Sequence, residues 1–291
     1  MRVAILGAGG QLGTDLQRVL ADWDVTPFRH ADLDICNYGS ARAALTEAGP
    51  DVVINAAAFV RVDDAETQVE DAFRVNAFAV RNLAQVCRDL DCTMVHVSTD
   101  YVFDGAKDSP YTEDDYPNPL NVYGASKLAG EYFVRNLCPR HFIVRSSGLY
   151  GFSGERRLGR NFVDSMLRMA DDGKPIRVVN DQVLTPTYTK DLAAKIKQLL
   201  QTRGYGLYHV TNSGHCSWYE FAERAFSLSG LLPDFAPTTT EAYRSPARRP
   251  SYSVLSVTNV SRTTGIDMRP WSEALADYLD STTSRGQKGE T

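Results

Sequence analysis

The stretch Asn121–Gly130, NVYGASKLAG, sets a phenol, Tyr123, four residues before an ammonium, Lys127, where a helical pattern begins. Side chains at i and i+4 share one helix face, so the two heads can meet at one point. A phenol titrates near pH ~10, and a cation alongside stabilises phenolate and lowers that value. Such a pair suits a general acid for an alkoxide, the oxyanion left when hydride reaches a carbonyl carbon. A complementary pattern stands at the N-terminus. Gly7, Gly10 and Gly13 are spaced GxxGxxG, with Gln11 and Leu12 in the same turn, after an apolar run and before a helical stripe. Glycines are needed where a strand turns sharply into a helix and where backbone must approach a pyrophosphate, held in turn by helix N-terminal amides. A dinucleotide site is the expectation.

These groups need rigid elements to hold them. Met1–Gly7 reads as a buried strand, and TDLQRVLAD as a helix with Leu16, Val19 and Leu20 on one stripe. Strands follow at 24–28 and 51–58, with the helix SARAALTEAG between them ending at Gly49. A long helical region with a kink spans 64–89, then the strand CTMVHVST, a polar loop over 100–119, the helix of Tyr123 and Lys127, and the strand HFIVRSS. Alternating strands and helices predict an α/β, Rossmann-type doubly wound parallel sheet. Beyond Tyr150 the rhythm loosens. Expected there are a helix at 161–170, a strand at 175–179, the helix TKDLAAKIKQLL, the strand GLYHVTN, a helix from SWYEFAERAF, a loop over 235–250 and the closing helix WSEALADYL before ten frayed residues. The expected division is a dinucleotide-binding core, 1–150 with returning elements near 175–202, and a smaller C-terminal α/β substrate-binding lobe, 151–174 and 203–291.

Composition narrows the function. A net charge of −5 lacks the basic field that nucleic acid or a membrane surface requires. No apolar run reaches membrane-spanning length. The five cysteines are odd in number, scattered and without a CxxC pair, so neither a disulfide framework nor a metal site is expected, and a reducing cytoplasm is. His215 and Cys216 are adjacent and point apart; no GxSxG or HExxH occurs, which excludes the hydrolase readings.

GxxGxxG differs from the commoner GxGxxG and resembles the extended short-chain dehydrogenase/reductases, as do NAAA (Asn55–Ala58), STD (Ser98–Asp100) and the Tyr123/Lys127 pair in that order. STDYVFDG, PLNVYGASKLAGE, NDQVLTPTYTKDLA, GLYHVTNSGHCSWYEFA and PARRPSYSVL further resemble the dTDP-4-dehydrorhamnose reductase family over nearly the whole chain. The resemblance implies NAD(P)H-dependent reduction of the C4 ketone of dTDP-4-dehydro-L-rhamnose to dTDP-L-rhamnose. It implies Tyr123 as proton donor, Lys127 as its tuner and a ribose ligand, Thr99 as hydrogen-bond donor to the substrate oxygen, and Asp100 as a contact to the sugar. Strand-end capping is the rival role for Ser98 and Thr99. Asp34 and Ile35 match the flank of the adenine or else cap a helix. Ala57 and Ala58 let a cofactor lie close. Asn76 matches the superfamily's helix asparagine or is a buried helix-bending amide. Arg248 and Arg249 fit a diphosphate or are ordinary loop cations, Arg249 being the substrate-binding candidate.

Cofactor choice turns on the end of the second strand, PFRHADLD, where Arg29 and His30 replace the acid that would select NADH. Arg29 can pair with a 2′-phosphate, so NADPH is expected, with NADH as an alternative, although Asp32 weakens the local positive field. Gly148 departs from the family, many of whose members carry a tryptophan there to pack on the sugar. A dTDP-sugar and a second copy of the chain are the expected partners. Two rival classes stay in view: a non-catalytic regulatory subunit resembling the β subunit of methionine adenosyltransferase, and another nucleotide-sugar reductase, epimerase or dehydratase. Tyr101 directly after Asp100, where a dehydratase would carry a second acid, disfavours dehydration.

Overall fold

The computed structural model describes residues 1–153 and 161–286. At its centre is a six-stranded sheet, parallel throughout. Strands β1 (Arg2–Leu6), β2 (Asp24–Phe28), β3 (Val52–Asn55), β4 (Thr93–Thr99) and β5 (His141–Ser146) are joined by a sixth strand, Gly206–His209; the order across the sheet is β2, β1, β3, β4, β5, then Gly206–His209. The chain leaves β1 toward β2 and then returns to β3 on the other side. That reversal opens a crevice at the carboxyl ends of β1 and β3, where ligands of such sheets bind.

Alternation along β1 divides the core. Val3 and Ile5 face one side, under the helices α1 (Gln11–Val19) and Thr189–Leu200, with Leu16, Leu192 and Ile196. Ala4 and Leu6 face the other, under α2 (Tyr38–Ala48), Val80–Asp89 and Val122–Leu137, with Leu45, Leu83 and Val134. Caps set the helix ends: Asn37 accepts from the Ser40 amide and Gly49 closes α2 in the left-handed region, as a C-terminal glycine does.

The long helical region breaks twice. Val62–Ala65 stops before Gln68; Val69–Phe73 then runs through a wider π turn, Arg74–Ala79, into Val80–Asp89. The widened turn carries Asn76, whose amide accepts from Phe59 N at 2.9 Å and donates to Phe59 O and Ser126 Oγ. A π turn of this kind reorients one side chain without ending the helix.

Two parts of the expected division are corrected. Gly206–His209, assigned to the lobe, completes the central sheet beside β5. Ile176–Val179, expected to return to the core, pairs instead with Phe235–Thr238. That second strand lies inside the segment read as a loop, which also holds the short helix Thr240–Tyr243. Phe235 stacks on Tyr219 at 4.4 Å, and Pro237 sits on an edge, where its missing N–H is tolerated. A second core fills this lobe: Tyr150 stacks on Tyr188, with Phe221 and Tyr278 against it. The closing helix reaches Gly286, so the first five of the last ten residues, expected to fray, are helical; the other five lie outside the described residues.

One glycine binds α1 to β1. A Cβ on Gly13 would stand 2.3 Å from Gly7 O and 2.7 Å from Ala8 Cα, both backbone. Gly13→Ala therefore lifts α1 from the turn and costs roughly 1–3 kcal/mol, as overpacking does. Urea unfolding of the variant beside the wild type measures the loss.

Candidate active site

The first βα turn forms a cradle. Gly7 has a φ of +78°, and a Cβ there would meet Ala57 N at 2.8 Å and Ala56 C at 2.9 Å, so β1 and β3 approach backbone to backbone. Gly10 precedes α1 with no side chain capping the first turn, which leaves N-terminal amides to accept an anion. Gln11 Oε1 is buried there without a hydrogen-bond partner. A cradle that any Cβ would fill, an uncapped helix start and an orphaned acceptor fit the diphosphate and ribose of a dinucleotide. Gly7, Gly10, Gln11, Leu12 and Gly13 would hold it, with Ala57 and Ala58 at the adjoining end of β3. Arg29 lies beside this turn, its Cγ 3.8 Å from where a Cβ on Gly9 would be.

The reacting groups gather at the end of β4. Thr99 ends the strand in extended conformation, and its Oγ1 accepts from Tyr101 N at 3.2 Å. The helix of Tyr123 starts at Val122, capped by Asn121, whose side chain accepts from Gly124 N at 2.8 Å and donates to Arg248 O at 2.7 Å. The Thr99 hydroxyl stands close enough to the Tyr123 phenol to act on its titration. Burial pushes that phenol up to about 12; the Thr99 hydroxyl pulls against the rise and the Asp100 charge adds to it. Lys127 is buried, brought down to about 8 by loss of solvent with Glu131 opposing, and donates to Val97 O at 2.6 Å. Its ammonium is thus turned to the strand. The expected lowering of Tyr123 by Lys127 is not what the protein alone displays: burial raises the phenol, and the group that opposes the rise is Thr99.

Asp100 is 3% exposed and takes hydroxyls on both oxygens: Thr99 Oγ1 at 3.1 Å on Oδ1 and Ser147 Oγ at 2.8 Å on Oδ2, with Ser253 as a third. Burial lifts the carboxyl to about 6 against those three bonds. Asn76 reaches the same helix through Ser126, which ties the two halves of the crevice.

Other expected residues lie differently. Arg249 does not present an open fork: both of its terminal nitrogens close on Asp63 at 3.0 and 2.9 Å, and it also reaches Tyr101. A guanidinium that a carboxylate already satisfies needs no phosphate to stay there. Ile35 is buried in the core under α2. Asp34 accepts from Cys36 N at 2.9 Å, a local turn bond and not a helix cap, which falls to Asn37. Gly148 has a φ of +53°, and a Cβ would meet Leu184 Cδ1 at 2.7 Å, so an aromatic there would strain the backbone and push Leu184 aside. Sequence reasoning missed Ser147, Ser253, Tyr101 and Asp63 as parts of the site. Lone serines carry no spacing signal, and the Asp63–Arg249 pair spans 186 positions.

The RmlD substrate binding domain model matches residues 1–284. A dTDP-4-dehydrorhamnose reductase of Aggregatibacter actinomycetemcomitans is 38% identical over 94% of this chain and 97% of its own. A probable dTDP-4,6-dihydroxy-2-methyloxan-3-one 4-ketoreductase of Streptomyces antibioticus is 41% identical over 95% and 94%. The crystal structure of dTDP-4-dehydrorhamnose reductase from Bacillus anthracis in complex with NADP is 40% identical, with a TM-score of 0.91 over 96% of this chain and 99% of that one. A glycine cradle at the switch point, a Thr99–Tyr123 pair at the end of β4 and likeness along the whole length agree: the chain belongs to the RmlD substrate binding domain family.

Proposed function

We propose that the chain reduces the C4 ketone of dTDP-4-dehydro-L-rhamnose to dTDP-L-rhamnose, with NADPH as hydride donor and NADH as an alternative. The observation that carries this reading is the placing of Tyr123 beside Thr99 at the end of β4, in the sheet whose β1 and β3 ends hold the glycine cradle. The nicotinamide cofactor, when bound, supplies the hydride. The chain's own residues do the rest. The first turn of α1 holds the diphosphate, with Arg29 placed for a 2′-phosphate. Thr99 and Tyr123 hold the ketone oxygen between two hydroxyls. Tyr123 gives its proton to that oxygen as negative charge develops, and the Thr99 hydroxyl supports the phenolate left behind. Lys127, buried within a helical turn of Tyr123, favours the same anion once the site is closed from water.

A non-catalytic regulatory role has no need of a phenol and a hydroxyl held together at the end of β4. Choice among related dTDP-4-keto sugars is a narrower matter: Gly148 removes the aromatic expected against the sugar, and the Streptomyces relative is named for a different ketone. We further place the chain in the reducing cytoplasm as a homodimer, with a core over 1–150 joined by 189–209 and a substrate lobe from the remainder. Five free thiols support the compartment, and Phe78 and Tyr132, exposed on neighbouring helices, support the pairing. Among the described residues no helix is long and apolar enough to cross a membrane.

Loss of NADPH absorbance with enzymatically prepared dTDP-4-dehydro-L-rhamnose tests the assignment, and no oxidation with either cofactor overturns it. Tyr123→Phe, which deletes the transferable proton, lowers kcat by roughly 10²–10⁴-fold while cofactor affinity by calorimetry holds. Full turnover in that variant would assign the proton to another group. Arg29→Ala lowers the ratio of kcat/KM for NADPH over NADH; a ratio left unmoved removes Arg29 from the phosphate.

A further inference from the structure

The hydroxyl of Thr99 has one proton and two lone pairs. The Tyr101 amide occupies one lone pair at 3.2 Å. One proton and one lone pair then remain for two neighbours: Asp100 Oδ1 at 3.1 Å and the phenol oxygen of Tyr123. Two arrangements of these protons differ in which way the Thr99 hydroxyl points. In the first, Thr99 donates to an ionised Asp100 and accepts from the Tyr123 O–H, which holds the catalytic proton on Thr99 and away from a substrate oxygen. In the second, a protonated Asp100 donates to Thr99, and the Thr99 proton is turned from the carboxyl to the Tyr123 oxygen and the ketone oxygen beside it, which frees the phenol proton and stabilises the charge formed when it leaves.

We propose that Asp100 is a positioning residue whose protonation sets the direction of the Thr99 hydroxyl, and that the arrangement with Asp100 neutral is the one that carries turnover. This rests on the reductase reading of the site. The geometry is closed around the carboxyl on every side. Ser147, following β5, and Ser253, from the C-terminal segment, give their hydroxyls to it, so the second oxygen accepts in both arrangements. The titratable groups facing it are Tyr101 and Tyr123, both neutral phenols at working pH. The nearby cations are turned elsewhere, Lys127 to Val97 O and Arg249 to Asp63, so among the described residues no ion pair holds Asp100 ionised. Burial places its titration near pH 6 in the free protein, and exclusion of water by a sugar favours the neutral acid further. The sign follows: the productive form is complete below that value and is lost as pH rises through it, while Tyr123 remains protonated throughout.

The test is the pH dependence of kcat for reduction of the dTDP-4-keto sugar, at saturating NADH to avoid a titrating 2′-phosphate. The wild type should show kcat falling as pH rises above 6. Asp100→Asn, whose amide can donate to Thr99 at every pH, should lose that decline. Thr99→Val, which severs the link, should lose it as well. Ser147→Ala, which withdraws a hydrogen bond from the carboxylate, should move the decline upward by roughly one pH unit. A decline that persists in Asp100→Asn or Thr99→Val, that is absent from an active wild type, or that Ser147→Ala leaves in place overturns the proposal. So does Asp100→Asn losing turnover by 10³-fold or more at all pH with cofactor affinity retained. A wild type that oxidises no cofactor fails the reductase reading itself, a separate result.

Discussion

Everything at the site depends on where the Tyr123 helix stands relative to the end of β4, and one buried ion pair fixes that distance. Arg145 on β5 grips Glu131 through Nη2 at 2.7 Å and Nε at 2.9 Å, while Ser98, one residue before Thr99, donates to Glu131 Oε1 at 2.5 Å. Arg145 also lies over the Phe103 ring at 5.1 Å. The side chains are 3% and 6% exposed. A buried pair is poor evidence for net stability, since desolvation offsets attraction, but losing one partner typically costs 3–5 kcal/mol. Sliding the helix would break the pair, so its value here is positional. Two glycines allow the same close seating. A Cβ on Gly124 would stand 2.2 Å from Tyr101 O, and one on Gly130 2.3 Å from Asn76 O. The pair fixes the helix along the sheet, and the glycines bring it down onto the loop and the π turn.

That seating carries a cost which falls on the reacting groups. Asp100 is held as a nearly dry carboxyl with its value about 6, against an ordinary 3.8. Its folded value is raised, so its contribution to stability is full below pH ~4 and is lost as pH climbs through 6; at neutrality the fold carries about 3 kcal/mol against it. Lys127 is similarly pressed toward its neutral form. Groups so strained by their surroundings are common where charge must form and vanish during a reaction. Here the surrounding core supplies what the site gives up.

Much of this could be read beforehand, for reasons that differ residue by residue. The cradle was legible because a turn between strand and helix leaves a glycine spacing, and Gly7 and Gly13 prove to be positions where backbone excludes any Cβ. Tyr123 and Lys127 were legible because helical geometry turns a spacing of four into one face. Gly206–His209 was misplaced because a short strand carries no mark of the neighbour it will pair with; parallel pairing to β5 is a long-range fact. The pairing of Arg249 is not legible beforehand because its partner, Asp63, lies 186 positions away in the sequence. Ser147 and Ser253 were invisible because a serine's role depends wholly on what it faces.

The C-terminal segment shows how far the site depends on such long-range facts. Between Ala247 and Ser253 the chain crosses the mouth of the crevice, fastened at one point after another: Ala247 N and Arg249 on Asp63, Arg248 O on Asn121, Ser251 Oγ on Gly105 O, and Ser253 on Asp100. Two of these fastenings join it to residues that also orient the reacting groups. Asn121 caps the helix of Tyr123, and Asp100 bonds Thr99 itself. The segment therefore completes the proton-handling groups as well as covering them. A sheet alone could place the glycine cradle and the phenol; setting a hydroxyl's proton takes a third piece of chain, brought from the other end of the sequence.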